Sequence, residues 1–364
     1  MTILHINAIS GKKSSGISVV VPEHVKNQSK LENVAMFNCV DYIPENSING
    51  YKVFLSHEFK QFDILKLEKP FNKPDLVVFH GIYIPYYIKI YKNLVKHDIP
   101  YIILPHGSLT KNAQKIKRIK KFFANNIFFN KFIKSAKYIQ YLSKMEKNDS
   151  SKYKVQSIVL GNGIYVPDNK LKIVYLDEKK IKFVYIGRLD IYHKGLDILL
   201  ESIHLVRKQF KKIDIKFDIY GPFNGEEKKL EEYVKKYEID NIVEIHDSIY
   251  DEEKKRVLLE SDVFIQTSRL EGQPLGIMEA MAYGIPCIVT EGTSFENIIN
   301  DNKCGYSSKC DAKEVAKNII KIIQNKEKLN DFSKNAYTYA INNFRWDLVA
   351  KETIEKYNEI KGDL

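Results

Sequence analysis

Short runs of β-branched and aromatic residues recur along this chain with room for a helix between each pair, and that rhythm constrains the fold more than any other feature. TILHI (2–6), VAMFNCV (34–40), DLVVFH (75–80), YIILPH (101–106) and YIQYLS (138–143) form a first set. KFVYIG (182–187), KFDIYG (216–221), VFIQTS (263–268) and PCIVT (286–290) form a second. Continuous apolar strands alternating with helices belong to parallel sheets covered on both faces. Two sets therefore predict an α/β chain of two Rossmann-like domains, and 364 residues with an apolar fraction of 44% are enough for two cores.

Between the sets lies VLGNGIYVP (159–167), where Gly161, Gly163 and Pro167 interrupt any regular element and suggest a hinge. The expected division is a first domain over 1–163, a second over 164–340, and a closing helix over 341–364 that returns to the first domain. The break before that helix falls in NNFRW (342–346). Closure of the domains about the hinge is expected from this architecture. Helical spacing is clearest after His193, where Leu196, Leu199, Leu200 and Ile203 share a face.

The net charge of +11 divides unevenly: residues 1–163 carry 25 Lys and Arg against 11 Asp and Glu, whereas the remainder is slightly acidic. One domain is thus expected to face something anionic, such as a nucleic acid, a phosphate-bearing lipid or a membrane leaflet. Cys39, Cys287, Cys304 and Cys310 are scattered without CxxC spacing, which predicts free reduced thiols. No signal-peptide pattern and no apolar run of membrane-spanning length is found, so a cytoplasmic location is expected.

Two segments carry the chemistry. In EGQPLGIMEAMAYGIPCIVT (271–290), Glu271 and Glu279 bracket a loop containing Gly272, Pro274 and Gly276. A helix starting near Leu275 would aim its positive end at an anion such as a diphosphate. Glu279, one turn in, could then accept hydrogen bonds from adjacent ribose hydroxyls, and Glu271 would face whatever the diphosphate carries. In FVYIGRLDIYHKGLDILL (183–200), a strand ends at Gly187, Arg188 follows, and Lys194 with Gly195 opens a helix; both cations could converge on phosphate. Either pair read alone could be solvated surface charge. Their place at strand-to-helix junctions of a parallel sheet favours a ligand, because open α/β folds bind there.

These segments resemble the donor-binding signature of glycosyltransferase family 4, retaining enzymes of the GT-B fold, whose two Rossmann-like domains face a central cleft. The Glu-x7-Glu element stands as Glu271 and Glu279, and the preceding GR…KG element as Gly187, Arg188, Lys194 and Gly195. NGI (162–164) resembles the interdomain motif, and PDLVVFHG (74–81) with LPHG (104–107) the first domain. The resemblance implies that Arg188 and Lys194 bind the diphosphate, Glu279 the ribose and Glu271 the transferred sugar, with backbone of Leu275 and Gly276 contacting phosphate or sugar. It also implies that His106 contacts the sugar near its reacting carbon, so that His106, Glu271, Arg188 and Lys194 are the candidate catalytic residues. His80 occupies a similar strand end but reads as structural. Many members carry adjacent glycines after the first strand; here NAISGKKSSGIS (7–18) has Gly11 and Gly16 apart, and only Gly16 is carried over.

The donor implied is a nucleotide sugar, a UDP-sugar by preference, carrying a hexosyl or N-acetylhexosaminyl group, with base contacts from loops such as GPFNGEE (221–227) and IHDSIY (245–250). No Asp pair at i, i+2 is present, so no metal and no cofactor are expected. A third glycine of a dinucleotide fingerprint is also missing after Gly161 and Gly163, which argues against a nicotinamide enzyme.

Between Ile99 and Met145 there is no acidic residue and there are ten Lys or Arg, among them Lys115, Lys117, Arg118, Lys120 and Lys121. Phe122, Phe123, Phe128, Phe129 and Phe132 are interleaved with these cations. This pattern suits peripheral contact with an anionic membrane at the inner face of the cell membrane, and hence a lipid-linked glycan acceptor in envelope or capsular polysaccharide synthesis. The alternative is core phenylalanines under a solvated lysine face. No nucleic-acid-binding signature accompanies the charges, so no nucleic-acid partner is expected. Two other readings stay open: a GT-B sugar-nucleotide epimerase or phosphorylase, and a nucleic-acid-binding protein on a Rossmann scaffold.

Overall fold

The computed structural model describes residues 1–12, 15–48, 50–59, 63–150, 152–167, 180–207, 214–223 and 225–362. They form two compact units, Met1–Gly163 with Trp346–Leu364, and Ile164–Arg345. Lys13 and Ser14 of the loop after the first strand, and Asn224 of the loop 221–227, lie outside the described residues.

The first unit contains β1 (Thr2–Asn7), β2 (Asn33–Asn38), β3 (Lys52–Leu55), β4 (Leu76–His80), β5 (Tyr101–Leu104), β6 (Tyr138–Tyr141) and β7 (Gln156–Val159), ordered β3-β2-β1-β4-β5-β6-β7. The second contains β8 (Lys180–Ile186), β9 (Asp214–Tyr220), β10 (Val243–His246), β11 (Val263–Gln266), β12 (Cys287–Thr290) and β13 (Gly305–Ser308), ordered β10-β9-β8-β11-β12-β13. Every recorded pairing is parallel, with Leu4 facing Ala35 on one side and Val77 on the other. Both units thus follow the doubly wound order, which reverses direction beside β1 in one and beside β8 in the other.

Parallel strands need crossovers, and the helices that supply them cover both sheet faces, so central strands are dry. Leu4, Ile6, Val77 and Phe79 are fully buried in the first unit, as are Phe183, Val184, Phe264 and Ile288 in the second. Phe183 stacks on Phe217 with centroids 4.5 Å apart. Each such side chain contributes about 1.5–3 kcal/mol on burial.

The chain passes between units at 163–164 and again at 345–346. The helix Leu329–Asn343 belongs to the second unit and the helix Trp346–Gly362 to the first. Tyr357 of the latter is buried and donates to Gln140 Oε1 at 2.7 Å, and Lys361 pairs with Asp75 at 2.9 Å. Trp346 begins that helix against Gly163, where a Cβ would lie 2.6 Å from the indole. Gly163 is therefore a packing requirement of the first unit as well as an interruption of regular structure. Gly163→Val is expected to lower the thermal midpoint by several degrees, reflecting roughly 1–3 kcal/mol of overpacking. Gly16→Ala, with nothing within 4 Å of its Cβ, leaves the midpoint unchanged or slightly raised.

Candidate functional site

In the second unit, the loops after β8 and β11 are locked together by side chains that neither segment reveals alone. Arg269 makes a bidentate pair with Asp197, both distances 2.7 Å, donates to Tyr192 O at 2.8 Å and lies 4.6 Å from the Tyr192 ring centroid. Thr267 donates its hydroxyl to Gly195 O at 2.8 Å. Gly195 has φ +65°, and a Cβ there would meet Thr267 O at 1.9 Å, so no other residue lets the two loops approach this closely.

That joint brings Lys194 onto Glu271, where they form an ion pair with side chains only 17% and 14% exposed. Glu271 Oε1 also accepts from Gln266 Nε2 at 3.0 Å and Ser268 Oγ at 2.9 Å. Its backbone is tied to Gly292 O and to the Ser294 hydroxyl. Burial and the Glu271 carboxylate push the Tyr185 phenol well up, and that phenol donates to Arg188 O at 2.9 Å. The Arg188 side chain is exposed and makes no ion pair among the described residues. Arg188 and Lys194 thus do not converge here: Lys194 turns to Glu271 while Arg188 stays solvated. Gly187 follows Ile186, the last residue of β8, and immediately precedes Arg188.

The helix Leu275–Ala282 starts after Pro274, and no side chain caps its amino end. Gly272 and Pro274 shape the approach, and Leu275 and Gly276 begin the first turn with their N–H groups available to an acceptor. Glu279 lies one turn in and is ion-paired with Lys254 on the helix Asp251–Glu260. Lys254 was not read from the sequence; it lies in the charged run DEEKK, with nothing local to mark it. Ile245 and His246 belong to β10, so the segment 245–250 is part strand and part loop. Among the described residues one grouping has metal-ligand spacing, Asp218, Glu244 and His246, and Asp218 is already paired with Lys182 at 2.8 Å.

In the first unit, His106 follows β5 in the left-handed region, φ 47°, with Gly107 at φ 78°. A non-glycine residue there is sparsely populated and must be held. The holder is Glu146, fully buried, whose carboxylate accepts from Gly107 N at 2.6 Å and Leu142 N at 2.8 Å. Behind His106 stand His80 and His5, joined ring to ring, and His24, which bonds Asn162 Oδ1 at 3.0 Å. Burial lowers the imidazoles, to about 3 for His5 and His106 and about 4 for His24, with His80 well below its ordinary value. Gly16 opens the helix Gly16–Gln28 and is exposed.

The basic segment splits. Phe129 and Phe132 are core, whereas Ile119, Phe122, Phe123, Ile127 and Phe128 are 49–75% exposed. They occupy the helix Arg118–Ala124 and the turn Asn125–Phe129. Lys115, Lys117, Arg118 and Lys120 are solvent-facing. Lys121 instead folds back, donating to Ala113 O and lying 5.1 Å from the Tyr83 ring centroid. No helix among the described residues is long and apolar enough to cross a membrane.

Residues 168–339 match the family profile described as glycosyl transferases group 1. The amylovoran biosynthesis glycosyltransferase AmsK of Erwinia amylovora is 27% identical over 36% of this chain and 33% of its own length. The UDP-Gal:alpha-D-GlcNAc-diphosphoundecaprenol alpha-1,3-galactosyltransferase of Escherichia coli is 33% identical over 24% of this chain and 23% of its own. The chain spans less than half the length of the curated relatives it matches. The crystal structure of Anabaena Alr3699/HepE in complex with UDP superposes at TM-score 0.73 and 16% identity, covering 99% of this chain and all of that one. The fold is therefore GT-B, two parallel-sheet Rossmann-like units.

Because burial holds His5, His24 and His80 neutral, the unfolded chain takes up protons below pH 6.5 that the folded chain does not. Their stabilising effect is complete above pH 6.5 and is lost as pH falls from 6.5 towards 4, by about 1.4 kcal/mol per pH unit for each proton. The thermal midpoint is expected to fall across that window. His24→Gln, which keeps a donor to Asn162, makes the slope shallower; a flat wild-type profile from pH 7.5 to 4.5 would contradict the assignment.

Proposed function

We propose that this chain, whose second unit belongs to the glycosyl transferases group 1 family, moves a sugar from a nucleotide diphosphate donor to a glycan acceptor with retention of configuration. The observation that carries the reading is the coupled pair of Lys194 and Glu271 beside an uncapped helix end whose next turn presents Glu279. A donor diphosphate takes over Lys194 and the N–H groups of Leu275 and Gly276, with Arg188 joining it from solvent. Glu271, still oriented by Gln266 and Ser268, accepts hydroxyls of the transferred sugar. Glu279, aligned by Lys254, accepts the ribose hydroxyls. Gly187, Gly272 and Pro274 shape this donor site; Gly16 and His106 are assigned to the donor and its sugar by the family resemblance alone.

Retention needs no enzymic nucleophile if the departing phosphate oxygen takes the acceptor's proton on the face it leaves. The bond from the anomeric carbon to phosphate breaks as the bond to the acceptor oxygen forms, and the diphosphate departs with the proton. Positive groups aimed at that oxygen are then the main catalytic device, and no metal is required. Arg188→Ala is expected to lower turnover by roughly 10²–10³-fold; near-normal turnover would sink the same-face mechanism.

The donor is a UDP-sugar in this reading, supported by the likeness to a structure holding UDP. In EDTA, UDP or its sugars should raise the thermal midpoint by several degrees, since a ligand at 100 times its Kd stabilises by about 2.7 kcal/mol. Glu279→Ala should abolish the rise. No response to any nucleotide would overturn the donor-site assignment.

The acceptor is a lipid-linked glycan of envelope or capsular polysaccharide synthesis, met at the inner face of the cell membrane. Support comes from the exposed Phe122 and Phe123 among Lys115, Lys117, Arg118 and Lys120, each cation contributing about 1 kcal/mol at an anionic leaflet. Flotation with phosphatidylglycerol vesicles, but not with phosphatidylcholine vesicles, is expected, and Phe122→Ser with Phe123→Ser should release the protein. Equal binding by the double variant would remove this surface from the proposal. No finding favours the epimerase, phosphorylase or nucleic-acid readings.

A further inference from the structure

Three imidazoles and an amide run in line through the first unit. His106 Nε2 meets His80 Nδ1 at 3.0 Å, His80 Nε2 meets His5 Nδ1 at 2.8 Å, and His5 Nε2 meets Gln28 Oε1 at 3.0 Å. The ring planes are nearly parallel along the row, 21° between His5 and His80 and 26° between His80 and His106. His5, His80 and Gln28 are buried; His106 is the partly exposed end.

A neutral imidazole has one N–H and one lone pair, so a row of this kind has a direction. The Gln28 carbonyl only accepts, which puts the His5 hydrogen on Nε2 and leaves its Nδ1 a lone pair. His80 must then donate from Nε2 and accept at Nδ1, and His106 must donate from Nε2. What remains is a bare Nδ1 on His106, which meets no hydrogen-bond partner among the described residues. Adding a proton at any other ring nitrogen in the row sets two N–H groups face to face; adding one at His106 Nδ1 breaks nothing.

We propose that His80, His5 and Gln28 are positioning residues that fix His106 as the Nε2–H tautomer, so that it presents an acceptor to a hydroxyl of the transferred sugar. The identity of the nitrogen a histidine offers is set by the bond its other nitrogen makes. Burial opposes a charge anywhere in the row, as the lowered imidazoles show. His80, read from the sequence as structural, thereby becomes part of the site without touching a ligand. A sugar hydroxyl, being a donor, satisfies His106 Nδ1, whereas a carbonyl or phosphate oxygen at the same place does not. The sugar contact rests on the function proposed above; the tautomer does not.

The test uses the full chain labelled with 15N-histidine, with His106 resonances identified by their loss in His106→Gln. The wild-type protein should show His106 protonated at Nε2 and bare at Nδ1. His80→Phe, which keeps a ring in place, and Gln28→Met, at the far end of the row, should each give a mixture of tautomers. In both, kcat for turnover of the UDP-sugar that stabilises the protein should fall roughly tenfold to a hundredfold, the scale on which partners behind a metal-bound histidine act. The KM for that sugar should change by less than about threefold.

Wild-type His106 protonated at Nδ1 would overturn the proposal, because the row would then run the other way. An unchanged tautomer in both variants, or an unchanged kcat with an altered tautomer, would overturn it as well. If no UDP-sugar is turned over while the variants still shift the tautomer, the transferase reading fails and the hydrogen-bonded row stands.

Discussion

Parallel pairing throughout both sheets sets the terms for everything else in the molecule. A parallel ladder brings all strands of a sheet to their carboxyl ends on one edge, and the doubly wound order opens a crevice where successive crossovers part to opposite faces. In the second unit that point lies between β8 and β11, and the loops leaving those two strands carry Arg188, Lys194 and Glu271. In the first it lies between β1 and β4, and His5 and His80 sit on those strands while His106 follows the next one. Residues 77 positions apart, Lys194 and Glu271, become an ion pair because β8 and β11 are neighbours.

The same pair limits what can bind. Both side chains are mostly out of water, and separating a buried pair without replacement costs about 3–5 kcal/mol. A ligand that takes Lys194 must therefore leave Glu271 satisfied. Gln266 and Ser268 provide part of that satisfaction, and in the proposed donor complex hydroxyls on the group attached to the diphosphate provide the rest. A nucleotide carrying its sugar meets both demands, whereas a bare diphosphate meets one. Arg269 and Asp197 keep the two loops in register, so the exchange is local to two side chains rather than a rearrangement of loops.

How much of this was legible in the sequence follows from where apolar patterning is strong. The nine strands read from continuous apolar runs all appear. The four missed, β3, β7, β10 and β13, are each four residues long and lie at the edges of the two sheets. An edge strand is covered incompletely, and GYSS or QSIV carries no continuous apolar signal. The candidate site was legible where a local spacing encodes it, as for Glu271 and Glu279 on either side of one loop. It was illegible where the partner comes from elsewhere: Lys254 for Glu279, Glu146 for the turn at His106, and His5 with Gln28 for the tautomer of His106. No spacing rule links residues 5, 28, 80 and 106; only the β1-β4-β5 adjacency does.

Residues 1–163 carry the positive excess, yet their interior histidines stay neutral, and the sizes of the two effects explain why this is compatible with an anionic partner. One surface charge about 10 Å away in water-like surroundings contributes roughly 0.4 kcal/mol, less after screening by salt. Burial that takes His5 from 6.5 to about 3 corresponds to several kcal/mol. Desolvation, not the surrounding lysines, keeps the row uncharged. Neutralising Lys115, Lys117, Arg118 and Lys120 at a lipid surface would therefore leave the imidazoles in the same protonation state, so the proposed docking would not disturb the hydrogen-bond polarity behind His106.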